Sequence, residues 1–173
     1  MPGSGKSTVA PLLARRLRCS SVDLDREIER LAGRSVDAIF EEEGEERFRD
    51  LESLALKHAL GGAAPVVVAC GGGILGRVAN RDLLKSRARA FWLQVDPATA
   101  ARRLGGPGEP ARPLLRGGPV EERLRSLLDR RGPAYAEAAG ATVETSGRTP
   151  EEVAERIAAE IDRSGLRWDS SVS

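Results

Sequence analysis

The sequence predicts a single α/β domain, in which helices cover both faces of a largely parallel sheet. Helical stretches alternate with short apolar runs along the chain, as expected of repeated strand–helix units. The run PVVVA at residues 65–69 is apolar throughout, which is typical of a strand covered on both faces. At 173 residues the chain has the length of one domain and is long enough to bury a core. We expect this domain to span residues 1–164 and a disordered tail to span residues 165–173.

The predicted elements follow one another in the order that this alternation requires. Apolar residues at helical spacing predict helices over residues 7–17, 26–33, 35–43, 45–60, 97–104, 120–139 and 149–161. Short apolar runs predict four strands, over residues 20–25, 65–70, 88–96 and 141–145. Gly33 closes one helix, Gly44 separates two others, and Asp96 with Pro97 begins a fourth. The glycine- and proline-rich segment after residue 104 is predicted to be a long loop.

The composition excludes several classes of function. Lys and Arg number 27 and Asp and Glu number 26, so the net charge is +1, which argues against a nucleic-acid or membrane-surface partner. No apolar run approaches the roughly 18 residues of a membrane span. A charged helix follows the opening loop directly, which argues against a secretory signal. Cys19 and Cys70 lack metal-site spacing, so we expect reduced thiols in a cytoplasmic protein.

A phosphate-binding loop is the strongest chemical signal in the sequence. Gly3, Gly5, Lys6 and Ser7 form the end of the motif G-x-x-x-x-G-K-[ST] and lead directly into a helix. Glycines let consecutive backbone N–H groups turn towards an anion, at a helix N-terminus whose dipole favours negative charge. A chance glycine turn before a helix is the alternative, and the full motif in an α/β chain argues against it.

Other candidate residues are ambiguous when they are taken singly. Asp23 and Asp25 follow a strand, beyond whose carboxyl end ligands bind in parallel sheets, although Asp25 could simply cap the next helix. The turn CGGG at residues 70–73 would let a ligand approach the backbone closely. Arg49 and Arg131 are, by default, surface residues.

Taken together, these residues resemble the shikimate kinase family. The matching stretches are GSGKST, VDLDREIE, IFEEEGEERFRDLE, ACGGG, ARPLL, RRGPAYAEAA and TSGRTPEEVA, which span residues 1 to about 161. The pair D-x-D and F-R-x-L-E is more specific than the phosphate loop, which many nucleotide kinases share. The resemblance implies a three-layer P-loop kinase fold with a mobile lid over about 105–118. It also implies phosphorylation of the 3-hydroxyl of shikimate by ATP, in chorismate and aromatic amino-acid biosynthesis.

The resemblance also implies roles on the nucleotide side. The phosphates of ATP would be held by Gly3, Ser4, Gly5, Lys6, Ser7 and Thr8. Ser7 would bind Mg²⁺, and Asp23 would reach the ion through water. Arg112, in the lid, would neutralise charge on the transferring phosphoryl group. Arg148 and Pro150 would flank the adenine, whereas the adenine-side role of Arg103 stays open.

On the acceptor side the resemblance implies a shikimate-binding region over about 24–60. Asp25 would hydrogen-bond the attacking hydroxyl, so the implied catalytic residues are Lys6, Asp25 and Arg112. Arg49 and Arg131 would grip the shikimate carboxylate, with the turn at Gly72 and Gly73 facing the ring. The pocket would be lined or braced by Phe40, Phe48 and Glu52.

The beginning of the chain departs from the family pattern. In the family an apolar central strand and a first glycine precede the phosphate loop, and neither stands before Met1. We expect that strand to be missing, Met1 to be an internal methionine of the loop, and the sheet to be split at this place. We further expect the chain to be weakly active or prone to aggregate unless an apolar run ending in glycine is restored.

Two alternatives remain open. A related small-molecule kinase, such as a gluconate kinase, fits the phosphate loop, but the D-x-D with Arg49 and Arg131 argues against it. A catalytically silent binding or regulatory protein fits the departure at Met1, but Lys6 and Asp25 argue against it. The expected partners are small molecules only, and the expected state is a monomer.

Overall fold

The computed structural model describes residues 1–105 and 118–165. The described helices are α1 Lys6–Leu17, α2 Leu24–Ala32, α3 Val36–Glu42, α4 Gly44–Leu60, α5 Val78–Arg87, α6 Pro97–Leu104, α7 Val120–Ala138 and α8 Pro150–Arg163. The described strands are β1 Ser20–Asp23, β2 Val66–Ala69, β3 Phe91–Gln94 and β4 Ala141–Glu144. Most of the predicted lid and tail, including Arg112, lies outside the described residues.

The helix boundaries follow the signals in the sequence. Gly33 and Gly44 adopt φ values of +67° and +83°, which glycine tolerates without strain, and they separate α2, α3 and α4. Asp96 caps α6 by accepting from the N–H of Thr99. Thr149 and Glu152 form a capping box at the start of α8. These local signals confirm the predicted order of elements.

Two local details differ from the prediction. β1 ends at Asp23, so Asp25 lies in the first turn of α2 and not at the end of the strand. Helix α5 was not predicted, because its apolar residues are few and no side-chain cap marks its start.

Helices cover both faces of the strands, as the α/β class predicts. Leu93 of β3 packs with α1 and α8, whereas the neighbouring Trp92 packs against the cluster formed by α6 and α7. In β2, Val67 packs on the side of α1, whereas the neighbouring Val68 packs on the side of α4. Successive side chains of a strand point to opposite faces, so this alternation defines a three-layer arrangement.

The four strands are divided into two parallel pairs. β1 pairs with β2, with Ser20 opposite Val66, and β3 pairs with β4, with Phe91 opposite Ala141. No ladder joins β2 to β3 within the described residues. A largely apolar cavity of about 480 Å³, here called the inter-sheet slot, lies between these two strands. Among the described strands the sheet is therefore split into two separate pairs.

None of the described helices combines the length and the apolar character that crossing a membrane requires.

Candidate active site

The phosphate loop is shaped by two glycines with left-handed backbone. Gly3 has φ of +71° and Gly5, the N-cap of α1, has φ of +86°. A Cβ on Gly3 would lie only 2.8 Å from the carbonyl oxygen of Ala100. Both the positive φ and this close approach therefore favour glycine at position 3. Since Gly5 has no side chain, the first N–H groups of α1 are not capped by one. The loop therefore presents a helix N-terminus that suits an anion.

Lys6 lies across the concave side of this loop. Its Nζ donates to the carbonyl oxygen of Met1 at 2.6 Å and to Ser4 Oγ at 3.2 Å. Ser4 is 1% exposed, and its hydroxyl donates to the same Met1 oxygen at 2.9 Å. The ammonium group is thus positioned beside the backbone N–H groups that would contact a phosphate.

The two aspartates of the D-x-D motif have different structural tasks. Asp23 caps α2, because its Oδ1 accepts from the N–H of Asp25 at 3.0 Å. Asp25 is therefore not the cap, which removes the structural alternative that the sequence left open. Its carboxylate points towards the glycine turn, where Oδ1 would lie 3.5 Å from a Cβ placed on Gly71.

The glycine turn after β2 is held by two side chains of α7. The carbonyl oxygen of Gly72 accepts from Arg131 Nη1 at 2.9 Å and from the hydroxyl of Tyr135 through a short hydrogen bond. A Cβ on Gly72 would come within 3.3 Å of that hydroxyl and 3.4 Å of Arg131 Nη1. The missing side chain therefore allows both donors to reach the turn.

Arg49 fills the space that Gly73 leaves open. A Cβ on Gly73 would overlap Arg49 Nη1 and lie 2.5 Å from Cζ. The guanidinium stands 5.1 Å from the ring centre of Phe48, which stacks against Phe40. The predicted bracing role of these rings agrees with this packing.

Two glutamates hold the Arg49 guanidinium. Its Nη2 donates to Glu45 Oε1 at 2.8 Å, and its Nη1 donates to Glu52 Oε2 at 2.8 Å. Burial acts to lower the pKa of Arg49, but the two carboxylates outweigh it and raise that pKa. Burial raises the pKa of Glu52, because the loss of hydration exceeds the stabilising effect of Arg49. Glu52 is only 1% exposed, so this pair is largely buried.

One narrow cleft brings the sequence-predicted groups together. Its walls include Lys6, Ser7, Asp23, Asp25, Gly71 and Gly72. Cys70 also lines this cleft, and burial raises the pKa of its thiol to about 12, so it is a neutral wall. The phosphate loop and the D-x-D motif therefore meet at the glycine turn, which Arg49 and Arg131 contact from the sides.

The other predicted residues lie further from the cleft. Arg148 is half-buried, and its Nε donates to the carbonyl oxygen of Glu144 at the end of β4. Arg103, whose role was open, links the phosphate loop to the same region: it donates to the carbonyl oxygens of Gly3 at 3.2 Å and Thr145 at 2.7 Å. Both arginines therefore contact the backbone at the carboxyl end of β4.

Tyr135 contacts the glycine turn, although the sequence suggested no role for this residue. The spacing of Arg131 and Tyr135, four residues apart on one helix, could have indicated that both side chains share a face. Arg103 offered no such signal, because its partners are 100 and 42 residues away along the chain.

Two residues of the cleft carry oxygen ligands of the kind that Mg²⁺ prefers. Ser7 and Asp23 contribute a hydroxyl and a carboxylate to its wall. In residues 1–105 and 118–165 no group of three or more His, Cys, Asp or Glu side chains could hold a metal by itself. Mg²⁺ commonly binds to one or two protein oxygens, water and substrate phosphates, so these two residues suit that mode.

Comparison with known proteins agrees with this geometry over most of the chain. The shikimate kinase of Thermobifida fusca is 46% identical over 164 residues, covering 95% of this chain and 92% of that protein. The shikimate kinase of Symbiobacterium thermophilum is 41% identical, covering 95% and 94%. The structure of "Shikimate kinase from Acinetobacter baumannii in complex with shikimate" matches with a TM-score of 0.88 and 36% identity, covering 96% of this chain and 92% of that one.

The family model described as "Shikimate kinase" matches residues 2–162, which is nearly the whole chain. The identity to the relatives, the coverage and the shared fold all agree with it. The chain belongs to the shikimate kinase family.

Proposed function

We propose that this chain transfers the γ-phosphoryl group of ATP to the 3-hydroxyl of shikimate, giving shikimate 3-phosphate for chorismate and aromatic amino-acid biosynthesis. The observation that carries this proposal is the cleft in which Lys6 and Ser7 face Asp25 beside the glycine turn. A phosphate-binding loop next to a carboxylate suits phosphoryl transfer to an alcohol, which depends on positioning and positive charge.

The phosphate loop serves the nucleotide. Backbone N–H groups of residues 3–8 bind the phosphates, and Lys6 adds a point charge at the β- and γ-phosphates. Ser7 and Asp23 hold Mg²⁺, directly and through water respectively; the ion neutralises charge on the phosphates when it is bound. Arg148 lies at the carboxyl end of β4, where it flanks the adenine together with Pro150.

Asp25 serves the acceptor hydroxyl. Its carboxylate accepts a hydrogen bond from the hydroxyl, orients it towards the phosphoryl group and takes up its proton. The position of Asp25 in the first turn of α2 supports this role, because Asp23 already caps that helix.

Arg49 and Arg131 bind the shikimate carboxylate. A guanidinium offers five N–H donors in a planar arrangement that matches a carboxylate. Arg131 donates one hydrogen bond, from Nη1, to the carbonyl oxygen of Gly72. Arg49 is oriented by its hydrogen bonds to Glu52 and Glu45. The Glu45 side chain is 53% exposed, so a substrate carboxylate can compete with it for Arg49 at small cost.

Arg112 lies outside the described residues, and the family resemblance supports its role. Its guanidinium neutralises negative charge on the phosphoryl group while that group is transferred, which stabilises the transition state. We also propose that the enzyme is a cytoplasmic monomer; the near-zero net charge and the free thiols of Cys19 and Cys70 agree with that compartment.

The test is an assay of ADP release with ATP, Mg²⁺ and shikimate, with gluconate as the competing acceptor. It is run on the chain as it stands and on a chain with an apolar extension at Met1, because Met1 lines the inter-sheet slot. We expect turnover with shikimate that EDTA abolishes. Turnover with gluconate alone would contradict the acceptor. Light scattering over a range of concentrations tests the monomer.

A further inference from the structure

The three carbonyl groups of the glycine turn are held in two different ways. The carbonyl oxygens of Gly71 and Gly73 each accept from a backbone N–H three residues further along the chain. The oxygen of Gly72, between them, instead accepts from Arg131 Nη1 and from the hydroxyl of Tyr135, both on α7. The middle of the turn is therefore held by side chains of a helix that is distant in the sequence.

The peptide group between Gly72 and Gly73 has little preference of its own for one orientation. Neither residue carries a Cβ, and glycine adopts backbone conformations that other residues avoid. The direction of the Gly72 carbonyl therefore depends on the groups that donate to it. A carbonyl oxygen has two lone pairs, so it can accept from Arg131 and Tyr135 at the same time.

The two donors differ in stiffness. Tyr135 is buried in a cluster with Leu124 and Leu127, and its ring centre lies 5.7 Å from that of Trp92. Burial raises the pKa of Tyr135, because the loss of hydration outweighs the stabilising effect of Arg131, so the hydroxyl stays a donor at neutral pH. Arg131 is half-buried and has a long side chain with many rotamers. Tyr135 is therefore the rigid donor of the two.

The shared acceptor links this rigid donor to the arginine. Arg131 and Tyr135 are four residues apart on α7, which places both side chains on one face of the helix. The tyrosine hydroxyl fixes the Gly72 oxygen, and that oxygen fixes Nη1 of the guanidinium. A guanidinium that is already held by one nitrogen loses less freedom when it binds a carboxylate, and lost freedom is a cost of binding.

We propose that Tyr135 is a positioning residue for the acceptor: its hydroxyl fixes the carbonyl of Gly72, and this carbonyl orients Arg131 towards the acceptor carboxylate. The inference rests on the proposed function, in which Arg131 binds that carboxylate. The effect of Tyr135 passes through Arg131, so it acts on binding of the acceptor and leaves the nucleotide and the transfer step unaffected.

The first test removes the hydroxyl alone. Tyr135→Phe keeps the ring beside Trp92, so the packing of α7 is retained. Because one hydrogen bond to the turn is lost, we expect KM for shikimate to rise about fivefold, with kcat and KM for ATP within about twofold. The control is Ser126→Ala, which removes an exposed hydroxyl from the same helix and should change none of these constants. An unchanged KM for shikimate, or equal changes in all three constants, would overturn the proposal.

The second test asks whether Tyr135 acts through Arg131. Arg131→Lys keeps a positive charge, so shikimate binding stays measurable, but an ammonium lacks the planar group whose orientation the carbonyl sets. In a double-mutant cycle measured by calorimetric titration, Tyr135→Phe should weaken shikimate binding about fivefold beside arginine and less than about twofold beside lysine. Equal losses in the two backgrounds would show that the tyrosine only supports the turn, and the inference would be wrong.

The third test needs no substrate and separates this inference from the proposed function. In the unliganded chain Tyr135→Phe should speed amide exchange in residues 71–74 relative to Ser126→Ala, because the turn loses its rigid donor. If exchange is unchanged, the hydroxyl does not fix the turn, and the inference fails while the proposed function stands. If exchange rises but the wild-type chain does not bind shikimate, the proposed function fails, and with it the role of Tyr135 at Arg131.

Discussion

Arg49 Nη1 donates a hydrogen bond of 2.8 Å to Glu52 Oε2, and both residues are buried, with exposed fractions of 8% and 1%. Within the described residues the second oxygen of Glu52, Oε1, has no hydrogen-bond partner. It lies beside Gly71, where a Cβ would be 2.8 Å away. The pair therefore orients a guanidinium at the substrate cleft at the cost of an incompletely satisfied carboxyl group.

The first prediction concerns the pH dependence of stability. Burial raises the pKa of Glu52 in the folded chain above its ordinary value of about 4.3. The folded state then binds this proton more tightly than the unfolded state, so between the two pKa values the free energy of unfolding falls as pH rises. We expect Glu52→Gln to remove this dependence in urea unfolding measured from pH 4 to 8.

The control for this prediction is Glu45→Gln, which removes the exposed partner of the same arginine. It should leave the pH slope unchanged. If instead the wild-type chain gains stability relative to Glu52→Gln as pH rises, Arg49 dominates and the pKa of Glu52 is lowered.

The second prediction tests the space beside Gly73. In Gly73→Ala the new Cβ overlaps the Arg49 guanidinium, which must leave Glu52 or its place at the turn. We expect shikimate affinity to fall about tenfold or more, since a charged contact is lost, and nucleotide affinity to stay within twofold. Gly76→Ala is the matched control, because a Cβ there meets nothing within 4 Å. The two affinities are measured by calorimetric titration with shikimate and with the nucleotide. An equal loss of affinity for both ligands would contradict a local effect at Arg49.

The third prediction tests the proposed catalytic role of Asp25. Asp25→Asn keeps the shape but removes the anionic acceptor for the hydroxyl, so kcat should fall by roughly 10²-fold or more. Asp37→Asn is the control, because Asp37 also lies in the first turn of a helix. It should change kcat little. Near-normal turnover of Asp25→Asn would show that this carboxylate is not used in the reaction.

The fourth prediction assigns the arginines to different steps. Arg49→Ala and Arg131→Ala leave a substrate carboxylate poorly paired, which costs about 2–5 kcal/mol of shikimate binding. Arg112→Ala should act mainly on kcat, because its charge matters most in the transition state. Arg47 and Arg130, exposed neighbours on the same helices, provide alanine controls. Steady-state kinetics that show the same change in KM and kcat for all three variants would contradict this division.

The sequence predicted most of the elements and the phosphate loop because both depend on short-range signals. The capping residues Asp96 and Thr149 and the glycines at positions 33 and 44 act within a few residues of the chain. The phosphate loop is likewise contiguous. Its meeting with Asp25 followed from the general rule that ligands bind beyond the carboxyl ends of parallel strands.

The interactions that the sequence could not predict are long-range or depend on burial. The bonds from Arg131 and Tyr135 to Gly72 span 59 and 63 residues, and only the packing of α7 against the turn creates them. The raised pKa of Glu52 arises from its burial, which the surrounding charged residues of the sequence do not reveal. The cap of α2 is a further example: the sequence left open whether Asp25 caps this helix, and the structure shows that Asp23 does.

Arg103 holds two separate backbone segments with one side chain: Nη1 donates to Gly3 and Nη2 to Thr145. It belongs to the last turn of α6, so a rotation of that helix would release both segments together. The phosphate end and the base end of a bound nucleotide would then be coupled energetically, and such coupling is reciprocal. A fragment that binds only at Thr145 should therefore tighten the binding of a lone phosphate at Gly3, although the two fragments never touch.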